Sequence, residues 1–520
     1  VGSIDIVLGL VVLATVVAVS AKRLRVPAPS LLVLAGLVVG ALPGVPPVRV
    51  PPEVVSLVVL PPLIYAAGEE MSWRALREVW RPVTLLAVGL VVASAAAVGA
   101  VTVAVTPLPW SMALLLGTVL ASTDPVAVAA LGRRLALPSR VQTLVQAESL
   151  FNDATSLLLY RVAVSIAVAG GAVSWERAGT GFAVLAGGGV LAGALVAGGV
   201  AVIRRRTEDP VLETVVALVT PYAAYVLAET VHASGVTSVV TAAVILGRQA
   251  PALTTASIRL QLTAVWGTVV FLLESVVFGL IGLALPTLIR ELAKTGEAWL
   301  GAAVLVAATL ILVRVAWVFP LSALAQWRGG RRPSWQVPAV VSWAGARGVV
   351  PLAAALSIPL TDATGAPLAG RELVVVLATA VISISLVVQG FTLAPLVRRA
   401  GVLVRPSDAH EEYTVARLRT AQAALNRLED LERAEAAPQV VLARLRVGLL
   451  DRIERAELRL DGDDDIKSVS TAYLVLRRDL IAAETAELHR LHDTGEITES
   501  TRRNVQRLLD LEDTGLHDQD

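Results

Sequence analysis

Apolar residues in most of this chain come in long runs, not in the strict alternation of a half-buried strand. Thirteen runs stand out, at about residues 3–20, 28–42, 53–67, 83–106, 111–131, 142–169, 178–203, 211–229, 235–247, 258–285, 299–321, 337–358 and 372–397. Most approach the roughly 20 residues that carry a helix across a bilayer core, so each is predicted to be a transmembrane helix. The ninth is short and fits a re-entrant segment as well as a crossing. The first has no basic segment before it and no small-residue cleavage site after it, and is read as a retained helix rather than a signal peptide. From about residue 403 the pattern changes. Apolar residues now recur three and four apart among Arg, Glu and Asp, as in Glu411–Leu431 and Pro438–Leu460, which predicts amphipathic soluble helices. The expected organisation is a transmembrane domain over 1–402 and a helical tail over 403–520.

The residues between the runs set an orientation. Loops after odd-numbered runs hold 20 Lys and Arg, among them Arg74, Arg77 and Arg81, the triplet Arg204, Arg205 and Arg206, and Arg248 with Arg259; loops after even-numbered runs hold 5. Basic loops face the cytoplasm. Thirteen crossings, with the N-terminus outside and the C-terminus inside a cell membrane, are the arrangement this bias predicts. Composition agrees: hydrophobic residues are 55% of the chain, charged residues 17%, and mean hydropathy is +0.70. A soluble chain of this length needs nearer to 25% charge, so the class is an all-α polytopic membrane protein. There are no cysteines, which excludes disulfides, iron–sulfur centres and thiolate chemistry. The net charge of +1 hides two unlike parts, +9 over 1–402 and −8 over 403–520. The acidic tail is expected on the side of the basic loops.

Charges inside membrane spans are costly and usually functional. Run five carries Ser122-Thr123-Asp124-Pro125 and run six Glu148-Ser149-Leu150-Phe151-Asn152-Asp153. Run ten has Glu274, run eleven Arg314 and run twelve Gly345-Ala346-Arg347-Gly348. On a helix Glu148 and Asn152 share one face, as do Ser149 and Asp153. Asp153 thus has a hydroxyl one turn below it and an amide beside it, oxygen ligands that suit a hard cation such as Na+. Pro125 removes a helix N–H and frees the Thr123 carbonyl and hydroxyl to face a cavity. Gly345, Gly348 and Pro351 interrupt run twelve in the same way. Two interrupted helices in corresponding places point to inverted repeats, runs one to six and eight to thirteen, around a site at the bilayer midplane.

These stretches, Ser122–Val128, Glu148–Asp153 and Trp343–Pro351 with Phe271–Gly282, resemble the sodium/proton exchanger family, in its NhaP-like branch of monovalent cation:proton antiporters. The resemblance spans about residues 1–402. It implies two inverted six-helix repeats with crossing broken helices, and a core that moves against a dimerisation domain, hence a homodimer. It implies that Asp153 binds Na+ and H+ alternately, with oxygen ligands from Thr123 and Ser149. Asp124 acts through water or by steadying the crossing, and Asn152 replaces a second Asp. Glu148 and Arg347 form a buried ion pair. Glu274 stands where a neutral polar residue is more usual, and is read as a structural partner for Arg314 rather than a transport residue. Where the family often has an acidic residue this chain has Ala66; Glu69 and Glu70, a turn further on, are read as lying at the cytoplasmic end, with substitution for that acid as the alternative.

The function expected is therefore electroneutral exchange of Na+ or Li+ for H+, with K+/H+ or broad monovalent cation exchange as the alternative. No cofactor and no nucleic-acid partner is called for. An intramembrane protease would need paired motifs that are missing, and His232 is the only histidine before the tail. A channel would show repeated pore-lining polar residues rather than one compact site. In the tail, Asp461-Gly462-Asp463-Asp464-Asp465 reads as a solvated turn, lacking the spacing of a calcium loop. His489 and His492, three apart, read as surface residues. The tail's helices fit regulation, dimer support or a plain solvated domain.

Overall fold

The computed structural model describes residues 3–24, 28–42, 55–124, 137–170, 175–207, 209–293, 299–330, 332–403, 406–434, 437–460 and 464–517. No strand occurs among them; one isolated bridge joins Thr361 to Pro367. The chain forms two compact units, Val1–Leu403 and Val404–Asp520.

The first unit runs α1 (Ser3–Leu24), α2 (Ala28–Ala41), α3 (Leu60–Glu69), α4 (Trp73–Thr84), α5 (Val91–Val105), α6 (Trp110–Ala121), α7 (Ser139–Val168) and α8 (Trp175–Arg204). It continues with α9 (Pro210–Thr230), α10 (Gly235–Leu253), α11 (Ala256–Ala293), α12 (Trp299–Arg328), α13 (Gln336–Trp343), α14 (Val349–Leu356) and α15 (Arg371–Ala400). Among the described residues seven helices are long and apolar enough to cross a membrane, joined by five shorter apolar ones. Hydrophobicity builds these helices and local chemistry ends them. Asp209 accepts from the Val211 N–H at 2.7 Å with Pro210 opening α9, and Ser234 accepts from Thr237 N–H at 3.2 Å to open α10. Gly370 and Gly401, with φ of 81° and 63°, bracket α15 in a backbone region costly to other residues.

Glycine also lets helices touch. A Cβ at Gly36 or Gly40 of α2 would strike the backbone of Gly279, Gly282 or Leu283 in α11. Small residues of this kind replace the hydrophobic drive that lipid cannot supply between helices.

Two expectations change. The fourth span starts earlier than residue 83: α4 continues through a π-helical stretch, Leu85–Leu90, into α5 as one helix of 33 residues. Arg74, Arg77 and Arg81 lie on its exposed side, while Leu76, Val79 and Val83 pack on Ala147 of α7. Arg204, expected in a loop, is buried. Its Nη1 lies 3.2 Å from Glu69 and its Nε 3.2 Å from Glu213, both on neighbouring helices. The run from 337 to 358 is interrupted as expected, forming two short helices, α13 and α14, separated by Ala344–Gly348.

The second unit holds α16 (Pro406–Arg433), α17 (Gln439–Leu460), α18 (Asp464–Asp493) and α19 (Glu499–His517). Ile481 and Leu488 of α18 pack on Leu509 of α19, and Arg477 reaches across to Glu512. Asp461, Gly462 and Asp463 lie outside the described residues. His492 sits 3.2 Å from Glu499. No group of three metal-ligating side chains occurs among the described residues.

Candidate cation site

The site forms where α6 stops. Its last helical residue is Ala121, and Ser122 turns extended at φ −67° and ψ 144°, so Ser122, Thr123 and Asp124 run as open backbone through the protein interior. Pro125, expected to cause the break, lies outside the described residues. α7 passes beside this segment and supplies the other half of the site.

The contacts are dense and buried. The Ser122 hydroxyl donates to Asp153 Oδ1. The Ser149 hydroxyl donates to the Thr123 carbonyl at 2.7 Å, and Asn152 Nδ2 donates to Thr123 Oγ1 at 3.0 Å. One turn further on, the Ser156 hydroxyl donates to the Thr118 carbonyl at 2.8 Å. Asp153 is 7% exposed and Asn152 1%. Asn152 Oδ1 is buried with no hydrogen-bond donor among the described residues. A buried acceptor left open in this way is rare and calls for an ion or water. Carboxylate, hydroxyl, carbonyl and amide oxygens converge here, the donor set of a hard monovalent cation.

The interruption of α13 and α14 meets the one after α6. The Asp124 N–H donates to the Ala346 carbonyl at 2.7 Å, and Asp124 Oδ2 accepts from the Val349 N–H at 3.1 Å. A carboxylate there caps the positive end of α14. Gly348 is needed at the crossing, since a Cβ on it would overlap the Asp124 carboxylate. Arg347 Nε donates to the Leu120 carbonyl at 3.0 Å in the last turn of α6, and its own N–H donates to Ser385 Oγ at 3.0 Å. Gln389, bonded by Ser385, returns to the Trp343 carbonyl at 3.2 Å.

The ion pairing differs from expectation. Glu148 is held by Arg314, with Nη2 to Oε2 at 2.8 Å and a second contact from Nη1, not by Arg347. Arg314 also donates to the Val341 carbonyl from Nε at 3.2 Å and Nη2 at 3.0 Å. Its nitrogens are directed at Glu148 and Val341, so the expected pairing with Glu274 is replaced. The reason is geometric. Arg314 of α12 reaches both oxygens of the carboxylate, whereas Arg347 donates to the Leu120 carbonyl at the end of α6. Glu274 sits half-buried on α11. Ala66 is buried, and Glu69 is engaged by Arg204.

Sequence reasoning missed two partners. Ser122, not Ser149, bonds Asp153 directly, because the broken backbone carries the serine inward. Arg314 was visible as a lone charge in an apolar run, yet its partner lies on another helix that spacing cannot reach.

A bundle of apolar helices, with the buried carboxylates of Asp153 and Asp124 set among neutral oxygens where α6 ends beside the gap between α13 and α14, defines a membrane transporter of small cations. The sodium/hydrogen exchanger transmembrane family model matches residues 10–399. An uncharacterized Na+/H+ exchanger of Mycobacterium tuberculosis is 35% identical over 552 residues, covering 100% of this chain and 98% of that one. The Na+/H+ antiporter ApNhaP of Aphanothece halophytica is 30% identical, covering 89% and 86%. The sodium proton antiporter MjNhaP1 of Methanocaldococcus jannaschii, solved at pH 8, shares the fold with a TM-score of 0.65 at 20% identity, covering 76% and 98%. The chain belongs to the sodium/hydrogen exchanger family. It is a monovalent cation/proton antiporter and not an enzyme.

Proposed function

We propose that the chain exchanges one Na+, or Li+, for one H+ without moving net charge. The observation that carries this reading is Asp153, bonded by Ser122 and flanked by neutral Asn152, whose Oδ1 lacks a donor. One carboxylate holds either a cation or a proton. Thr123 O and Oγ1, Ser122, Ser149 and Asn152 Oδ1 complete the cation's oxygen shell as their hydrogen bonds rearrange. Asp124 and Arg347 hold the crossing, and Glu148 with Arg314 fastens α7 to α12. Glu274 has no assigned part in the exchange.

Exchange by alternating access fits two inverted repeats, crossings one to six and eight to thirteen, with α8 as the connector. The reading includes thirteen crossings in a cell-membrane homodimer, with the N-terminus outside and the tail in the cytoplasm, an orientation supported by the basic residues of the loops after odd-numbered runs. Potassium or mixed cation exchange on the same scaffold is the second reading, favoured by Ala66, which leaves the third span without a carboxylate at that position.

The test is Asp153→Asn in proteoliposomes carrying a pH-sensitive dye, challenged with Na+, Li+ and K+ in turn. Loss of cation-driven proton flux is expected, and flux that persists overturns the assignment. Deleting residues 408–520 tests regulation by the tail, which an unchanged pH profile would dismiss.

A further inference from the structure

A second site lies away from Asp153, between the start of α4 and the last turns of α10. A cavity of about 410 Å³ opens there, lined by Trp73, Val244, Ile245, Arg248 and Gln249. The Arg248 guanidinium lies over the Trp73 ring, 5.3 Å from its centroid. Stacking occupies the face of a guanidinium and leaves its edge donors able to grip a phosphate. Val244 and Ile245 add an aliphatic wall. Gln249 Oε1 has no donor among the described residues, so a side-chain turn can offer it to a hydroxyl. The described lining contains no carboxylate, which makes it a poor port for the transported cation and a good seat for an amphipathic anion.

The surroundings identify the anion. Trp73 and Trp80 are 43% and 54% exposed, and Arg81 lies over Trp80 at 5.6 Å. Arg74 and Arg77 are exposed on the same helix, with Glu70 and Glu78 as the acids of this stretch. This helix continues directly into the apolar span of α5. Exposed tryptophans and arginines at the start of a span mark the membrane–water interface. Basic residues at that level attract anionic headgroups.

We propose that this cavity binds one anionic phospholipid, its phosphate on the edge of Arg248, its headgroup hydroxyls toward Gln249, and its glycerol and first acyl carbons between Trp73, Val244 and Ile245. The lipid would bridge α10 to α4, and α4 packs through Leu76, Val79 and Val83 on the helix that carries Asp153. The site stands independently of the exchange mechanism.

The experiment measures binding without transport. Detergent-purified full-length protein is titrated with dioctanoyl phosphatidylglycerol, dioctanoyl phosphatidylcholine and glycerol 3-phosphate, with binding followed by calorimetry and the thermal midpoint. At least tenfold tighter binding of phosphatidylglycerol than of phosphatidylcholine is expected. Arg248→Gln should lose that preference, Trp73→Ala should weaken both lipids, and Arg328→Gln, an exposed arginine at the end of α12, should change neither. Equal binding of the two lipids, or an Arg248→Gln protein that keeps the preference, overturns the proposal. Glycerol 3-phosphate binding as tightly as the lipid also overturns it and assigns the site to a soluble phosphate.

Discussion

Asp124 and Arg347 cap two helix ends that meet at the crossing. Asp124, just past the end of α6, accepts from the first N–H of α14, and Arg347, just before α14, donates to the Leu120 carbonyl in the last turn of α6. An anion meets a helix N-terminus and a cation meets a helix C-terminus, so both dipoles are compensated where water is scarce.

This exchange of caps predicts an order of stability. Asp124→Ala loses both the hydrogen bond and the charge, a cost on the order of 2 kcal/mol for a buried cap. Asp124→Asn keeps an acceptor and should fall less. Thermal unfolding in detergent gives the order, and an alanine protein as stable as the asparagine one would contradict the capping role.

The Glu148–Arg314 pair makes a separate prediction. Removing one partner strands a buried charge at about 3–5 kcal/mol, whereas replacing both with apolar residues of similar size is far milder. Glu148→Leu and Arg314→Leu should each be strongly destabilised, and the double variant should recover much of the loss. A double variant worse than either single one would show that the two residues act on different partners.

Asn152→Asp places a second carboxylate in the site, beside Asp153. If single-carboxylate exchange is electroneutral, this variant should become sensitive to an imposed membrane potential. Vesicles clamped with valinomycin and K+ report it, and a rate unchanged by potential would refute the assignment of neutrality to Asn152. Ser122→Ala, which removes the hydroxyl bonded to Asp153, should raise the apparent KM for the cation with a smaller change in kcat.

Competition at one carboxylate has a signed pH dependence. The cation needs the ionised form, so lowering the pH on the cation's side raises apparent KM, about tenfold per unit once protonation dominates. Rates at saturating cation should stay level. A kcat that falls in step with KM would argue for separate proton and cation sites.

In the tail, Arg502 and Arg503 bond Glu499 in the first turn of α19 and hold its carboxyl down to about 2, against an ordinary value near 4.5. A depressed folded-state pKa stabilises the helix above the unfolded value and loses that support as pH falls from about 4.5 to 2. Hydrogen exchange across residues 499–517 of the full chain, corrected for intrinsic rates, should speed up over that interval. Glu499→Gln should flatten the change.

Much of this was legible from the chain because bilayer thickness fixes the length of an apolar run. The runs at 142–169, 178–203 and 372–397 match α7, α8 and α15 closely at their ends. The gap between α13 and α14 was also visible, since Gly345 and Gly348 announce it through backbone preference. α4 was obscured because Arg74, Arg77 and Arg81 lower its hydropathy to that of a loop, while the buried face of Leu76, Val79 and Val83 makes it a helix. Arg204 was hidden by its neighbours: it shares a basic triplet with Arg205 and Arg206, and only packing turns one of the three inward. The pairing of Glu148 followed the same rule, for its partner Arg314 lies on a separate helix, and no spacing along the chain records which helices meet.

The glycine crossing of α2 and α11 has a mechanical consequence. With Gly36 and Gly40 pressed on the backbone around Gly282, the two helices meet without a cushion of side chains that could slide or repack. Such a joint resists shear much as a weld does, so these two helices act as a single post.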